Sequence, residues 1–148
     1  MQNDIDMNAL VGAMGDAVVV CDVKGHVIVW NPGAERIFGW TAAEALGQRM
    51  DMIVPERLRK RHWDGYDQSM ATGKTKYAHD VLRVPAVDKA GRAMSIAFTV
   101  FMMHGPDGKV SACGSVIRDE TDRFAEDRAL KKRLAELEAL VAAGSARS

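Results

Sequence analysis

The side chains in this sequence able to bind a metal or take part in redox chemistry are four histidines, two cysteines and nine methionines. One histidine stands in a telling pattern. Leu58, His62, Tyr66 and Met70 repeat at intervals of four, which aligns them on one helix face, while Arg57, Arg59, Lys60, Arg61, Asp64 and Asp67 lie mostly on the other. An imidazole on the inward or rim face of such a helix has two uses: it packs and caps, or it offers a neutral nitrogen to a metal. Cys21 and Cys113 fall in expected strands without CxxC or zinc-ligand spacing, so they read as buried thiols in a reducing cytoplasm. The methionines read as core filler. Catalytic constellations are not found: there is no Gly-x-Ser-x-Gly elbow, phosphate-cradling glycine loop, His-Glu-x-x-His helix or paired carboxylates in a plausible cleft. An enzyme is therefore not expected.

Length and charge narrow the field. The chain of 148 residues is about one domain's worth, and 47% hydrophobic residues suffice for a core. Twenty basic side chains balance twenty acidic ones, and no basic patch with interleaved aromatics occurs, so nucleic acid is not an expected partner. No charged-then-apolar leader is seen, nor an apolar run near the roughly 18 residues of a membrane span. A soluble, cytoplasmic protein without membrane contact is expected.

The elements that must position His62 are marked by turn and cap residues. The runs 17–21 and 26–30 flank Asp22-Val23-Lys24-Gly25, a hairpin signal. Asn31 then stands as a helix N-cap before Pro32, with Ala34, Ile37 and Phe38 on one face and Gly39 as the stop. Thr41 opens a second short helix with Glu44 as its capping-box partner. A polar helix from Glu56 to about Thr72 follows Pro55 and ends at Gly73. Three further strands are expected over 76–84, 92–103 and 109–118, with Met94, Ile96, Phe98, Val100 and Met102 on the core face of the middle one.

This order resembles the opening of a PAS domain, a sensory module whose pattern reads D..G.i..wN.aae.ifGyt.eE.iG. The matching residues are Asp22, Gly25, Trp30, Asn31, Ala34, Phe38, Gly39, Thr41, Glu44 and Gly47. Val116-Ile117-Arg118-Asp119-Glu120-Thr121 is similar to the iRDiT that closes the last PAS strand, so the resemblance covers roughly residues 17–121. It implies an α+β fold: one five-stranded antiparallel sheet with helices on one face over 17–119. A cap helix over 1–16 and a signalling or dimerisation helix and tail over 120–148 would flank it.

Within that family the chain is similar to the haem-binding oxygen-sensor subclass of haem kinases and haem phosphodiesterases. There a histidine on the long helix binds iron, seven residues after a proline and about twenty-nine before the last hairpin glycine. Here Pro55 precedes His62 by seven residues and Gly91 follows it by twenty-nine. The likeness implies b-type haem held by His62 as axial ligand and contacted by Leu58, Tyr66, Met70 and Ile96. Leu82, Phe98, Val100 and Gly114 would form the distal wall, Met94 or Met102 would be a sixth ligand, and Lys74 and Lys76 would face the propionates. The oxygen sensors carry an arginine on the strand after the helix, where equal spacing puts Leu82. Arg83 is one residue off and so on the opposite strand face. Unless Asp80 or His79 intrudes, such a pocket suits carbon monoxide, nitric oxide or redox state better than stable oxygen.

The light-sensing subclass with covalent flavin chemistry is excluded, because Gln48-Arg49-Met50-Asp51-Met52 stands where its Asn-Cys-Arg-Phe-Leu motif would be. Two other readings stay open: a cofactor-free dimerisation or interaction module, and a site for a small metabolite or non-covalent flavin. Trp30, Trp40 and Trp63 do not decide between them.

Two flanking stripes each either pack on their own domain or build a homodimer through the N- and C-terminal helices, and for the exit helix the PAS resemblance favours the dimer. Met7, Leu10, Val11 and Met14 share one face of a short helix, and Leu130, Leu134, Leu137 and Val141 alternate steps of four and three as heptad positions do. The output would pass to a downstream signalling protein or to an effector domain outside this chain.

Overall fold

The structure, a computed structural model, describes residues 4–75 and 78–146. Its elements in order are α1 (Met7–Ala13), β1 (Ala17–Asp22), β2 (Val27–Trp30), α2 (Pro32–Phe38), α3 (Ala42–Ala45), two 3-10 turns (Met50–Ile53 and Glu56–Leu58), α4 (Arg59–Thr72), β3 (Leu82–Val87), β4 (Ala93–His104), β5 (Val110–Asp119) and α5 (Thr121–Ala146). The five strands form one antiparallel sheet in the order β2-β1-β5-β4-β3, so the first and last strands in sequence lie side by side at its centre.

Local chemistry explains most of these boundaries. In the first hairpin Asp22 Oδ1 accepts from the backbone N–H groups of Lys24 and His26. Asn31 and Thr41 cap α2 and α3, the latter in a complete capping box with Glu44. Asn31 does more than cap. It is 4% exposed, and its Oδ1 accepts from both Ala34 N–H (3.0 Å) and Val18 N–H (2.8 Å). Its amide donates to the carbonyls of Val11 (3.0 Å) and Asp16 (3.1 Å), so one side chain joins α1, the turn after it, β1 and α2.

Two expectations shift. The long helix is divided, its first turn being 3-10 and its α-helical part starting at Arg59. The third strand begins later than expected. Residues 78–81 form an exposed bend, Lys76 lies outside the described residues, and pairing runs from Leu82↔Phe98 to Val87↔Ala93. Pro85 is tolerated there because β3 is an edge strand.

The sheet has two differently covered faces. On the inner face Cys21, Val27, Trp30, Met94, Ile96, Cys113 and Ile117 pack with Phe38, Ala45, Ile53 and Tyr66. Complete burial of Phe38 alone contributes about 1.5–3 kcal/mol. On the outer face Val18, Val20 and Ala112 are met by Val11 and Met14, while Met7 and Leu10 stay exposed. Half of the N-terminal stripe is thus covered by the sheet of its own chain. Residues 122–146 of α5 are exposed throughout, with Leu130 at 69% and Val141 at 70%, so this helix does not fold back on the domain.

Candidate functional site

Helix α4 meets the sheet through three side chains. Tyr66 is buried and donates its hydroxyl to the Asp22 carbonyl (2.5 Å), Met70 packs on the inner core, and Trp63 lies over Gly25 at the tip of the first hairpin. Gly25 is required twice: its φ is 89°, and a Cβ there would overlap the Trp63 ring. Trp63 in turn donates its indole N–H to the Asp51 carboxylate, and the Arg49 guanidinium sits 4.0 Å from its ring centroid. The N-terminal half of α4 is therefore clamped between the hairpin and the segment 49–51.

His62 sits at this clamp. Its ring is 4.8 Å from that of Trp63, edge to face, and 6.1 Å from that of Tyr66. Its Nδ1 is buried without a hydrogen-bond partner, a condition that costs about 1–3 kcal/mol. Burial lowers the His62 pKa; the Asp51 carboxylate opposes this and the Arg49 charge adds to it. Burial thereby favours the neutral imidazole, whose unprotonated nitrogen carries a lone pair. Burial also pushes the thiols up, Cys21 to about 12 with Cys113 adding to the effect, and Cys113 to about 11.

The apolar floor opposite α4 is only partly covered. Along the inner face of β4, Met94 and Ile96 are buried, whereas Phe98, Val100 and Met102 are half-buried. Leu82, paired with Phe98, is half-buried as well, and residues 78–81 beside it are exposed. Helices fill one end of the inner face and leave the other open.

Against this geometry the sequence-derived residues sort clearly. Tyr66 and Met70 lie on α4 toward the core, Phe98, Val100 and Leu82 line the half-open floor, and Leu58 is half-buried in the 3-10 turn before α4. Ile96 lies deeper, in the closed part. Gly114 does not belong to the wall. It pairs with Val20 and Phe101, and a Cβ on it would run into the Phe101 ring on the outer face. Alternation along the strand, which puts Cys113 inward, puts Gly114 outward. Met94, the other methionine considered with Met102, is buried in the closed part of the core. Tyr66 reaches Asp22, whose cross-strand row runs through Ala112 to Met103, so the middle of α4 lies toward the Met102 end of β4. Met94 is eight residues away along the strand, about 27 Å, buried in the core. Arg83 faces outward, into a cleft shared with Glu120, Arg123 and Asp127. Lys74 is exposed, and Lys76 lies outside the described residues.

A family profile described as PAS fold matches residues 11–125. The chain belongs to the PAS family. Two curated relatives are the sensor protein FixL of Bradyrhizobium diazoefficiens, 28% identical over 136 residues (88% of this chain, 26% of that protein), and the oxygen sensor protein DosP of Escherichia coli K12, 26% identical over 113 residues (73% and 13%). This PAS chain thus spans about a quarter or less of the length of these relatives. Among solved structures, the PAS domain of a protein from Colwellia psychrerythraea superposes with a TM-score of 0.69 at 20% identity, covering 78% of this chain and 95% of that one. The PAS assignment makes the chain a sensory or signalling module. Among the described residues no helix is long and apolar enough to cross a membrane.

The clamp of Trp63, Asp51, Arg49 and Gly25 was not singled out from the sequence. Its members come from three segments with no shared periodicity. The available signal was Trp63 itself, a large aromatic side chain lying off the Leu58–His62–Tyr66–Met70 face of the helix.

Proposed function

We propose that this PAS domain binds b-type haem through His62, senses a diatomic gas or redox state, and passes the change to its flanking helices. The observation that carries this reading is the buried, unpartnered Nδ1 of a neutral His62 on the helix that stands over a half-covered apolar floor. These residues fit an iron porphyrin. The imidazole is in the protonation state that ligates, its buried nitrogen lacks a partner, and Leu82, Phe98 and Val100 offer apolar surface not yet covered. Haem, when bound, supplies an iron centre able to take a diatomic ligand or change oxidation state. Tyr66 and Trp63 hold the His62 segment against the first hairpin, and Leu82, Phe98 and Val100 exclude water. Met102 is the methionine on the α4 end of the floor. The similarity to a protein named as an oxygen sensor supports the reading.

No arginine on β3 faces the floor, since Arg83 points outward. The pocket wall on that side is apolar, which favours carbon monoxide, nitric oxide or redox state over a stable oxygen complex. The domain acts without catalysis, as a dimer whose α1 and α5 repack when the pocket changes.

The test is an absorption spectrum of purified protein before and after reconstitution with haemin. A Soret band that is lost in His62→Ala and kept in His104→Ala is expected. A flavin spectrum in the purified protein, or a visible region left featureless by reconstitution, overturns the haem reading. The latter result leaves a cofactor-free interaction module.

A further inference from the structure

A second constellation of soft ligands lies on the inner face, beside the haem floor and sharing only Met102 with it. Cys21 and Cys113 are directly opposite on β1 and β5, both turned inward, and Met102 is opposite Cys113 on β4, so three sulfur-bearing residues stand abreast across the sheet. From the covering side Met50, in the first 3-10 turn, brings its Sδ to 4.0 Å from Cys21 Sγ. Cys21 is 1% exposed, while Met50 is only half-buried, so the cluster is dry inside and reaches solvent at its Met50 edge.

The backbone of this pair argues against a disulfide as its purpose. Asp22 N–H bonds to His26 O and Asn31 N–H to Val18 O, so the backbone groups of Val18, Val20 and Asp22 point to β2 and those of Cys21 point to β5. Cys21 and Cys113 therefore form a hydrogen-bonded pair, whose α-carbons stand roughly 5.5 Å apart. Their β-carbons are then roughly 5 Å or more apart, whereas a disulfide draws them to about 3.8 Å. The 4.0 Å between Cys21 Sγ and Met50 Sδ suits an ion held between them instead: at an ordinary metal–thiolate length of roughly 2.3 Å from each sulfur, the two subtend a near-trigonal angle, and Cys113 supplies the third sulfur from the same face.

We propose that Cys21, Cys113 and Met50 form a binding site for a soft monovalent d10 ion, copper(I), with Met102 as the available fourth ligand. The ligand types select the metal. Thiolate with thioether is a soft set that favours copper(I). Zinc prefers four donors, and the nearby Tyr66 hydroxyl already donates to the Asp22 carbonyl. Among the described residues no group of three or more His, Cys, Asp and Glu side chains is gathered for a harder ion. On binding, two S–H bonds break and release two protons to solvent, two copper–thiolate bonds form, and a thioether lone pair completes the coordination. Copper stays copper(I) throughout and no electrons are transferred.

The experiment uses the full chain, fully reduced and haem-free, titrated anaerobically with copper(I) against the chelator bicinchoninate. One copper retained per chain is expected, with X-ray absorption showing only sulfur neighbours, three or four of them, near 2.3 Å. Cys113→Ala should lose the complex, and Met50→Leu, which keeps size and apolarity, should lose one sulfur from the X-ray count. Both variants are checked for native circular dichroism, and Met50→Leu keeps the test decisive should Cys113→Ala fail to fold. Complete transfer of copper to the chelator overturns the site, as does retention unchanged in a folded Cys113→Ala. A count with nitrogen or oxygen neighbours, or loss of both thiols to a disulfide in place of copper uptake, overturns it equally.

Discussion

Replacing Asn31 with alanine removes four hydrogen bonds from a position that is 4% exposed. Loss of the cap on Ala34 N–H costs about 1 kcal/mol. The Val18 N–H and the carbonyls of Val11 and Asp16 lose the same partner, and each buried group left bare costs about 1–3 kcal/mol. Water reaching the two carbonyls through the vacated volume offsets part of this, which leaves a net loss of about 3–5 kcal/mol against a total stability of about 5–15 kcal/mol for a typical domain. In urea, where a domain of this size loses about 2 kcal/mol per molar, the unfolding midpoint should fall by about 2 M. Tryptophan fluorescence is a suitable probe, because Trp30 is buried next to the substituted residue. Asn31→Asp discriminates further. It keeps both acceptor bonds but turns a second oxygen toward the two carbonyls, so it should be no better than alanine, whereas a role limited to capping would make aspartate nearly neutral. A midpoint within about 0.5 M of wild type for Asn31→Ala, at unchanged slope, would refute the account of Asn31 as a four-way junction.

Three other outcomes follow from particular contacts. Gly114→Ala should destabilise by about 1–3 kcal/mol through overlap with the Phe101 ring, and Phe101→Leu in the same chain should recover much of that loss in urea titrations. Because burial holds the His62 pKa below its ordinary value, the unfolded chain binds more protons at this residue than the folded one as pH drops through about 6.5. Stability should therefore fall from pH 7.5 to 5.5, and His62→Gln should flatten that part of the profile. Leu134→Glu combined with Leu137→Glu should convert a dimer into a monomer by light scattering, since both side chains are exposed on a helix that touches little of its own domain; an unchanged dimer would remove α5 from the interface.

What the sequence made legible was what short-range chemistry decides. The first hairpin, the Asn31 and Thr41 caps, the glycine stops and the inward set on β4 depend on neighbours a few residues apart, and the structure has them at or within a residue or two of the expected positions. The start of β3 was not legible, because an exposed bend at 78–81 and a proline inside an edge strand follow from where the strand lies in the sheet. Gly114 was misassigned for a related reason: a glycine carries no side chain to report its face, and only the register with Val20 and Phe101 reveals it. The neutral, unpartnered state of His62 was equally hidden, since it depends on Arg49, Asp51 and Trp63 arriving from elsewhere in the chain.

The route from floor to exit helix can be followed through hydrogen bonds. Ser95 lies three residues along β4 from Phe98. Its N–H donates to Thr121 Oγ1 (3.1 Å) and its carbonyl accepts from Glu120 N–H (2.8 Å), so both backbone groups of one β4 residue hold the junction between β5 and α5. Asp119 fixes the same junction by accepting from the Thr121 N–H (2.9 Å). On the proposed function, a strand that is half-open at Phe98 and Val100 and fastened to the first turn of α5 at Ser95 gives the pocket a mechanical hold on the helix. The N-terminal helix is reached separately, through the bond from Asn31 to the Val11 carbonyl. On the proposed reading, the two flanking helices need not respond together. A change on the β3–β4 side of the floor acts first on α5, whereas a change that moves the α2 cap acts first on α1.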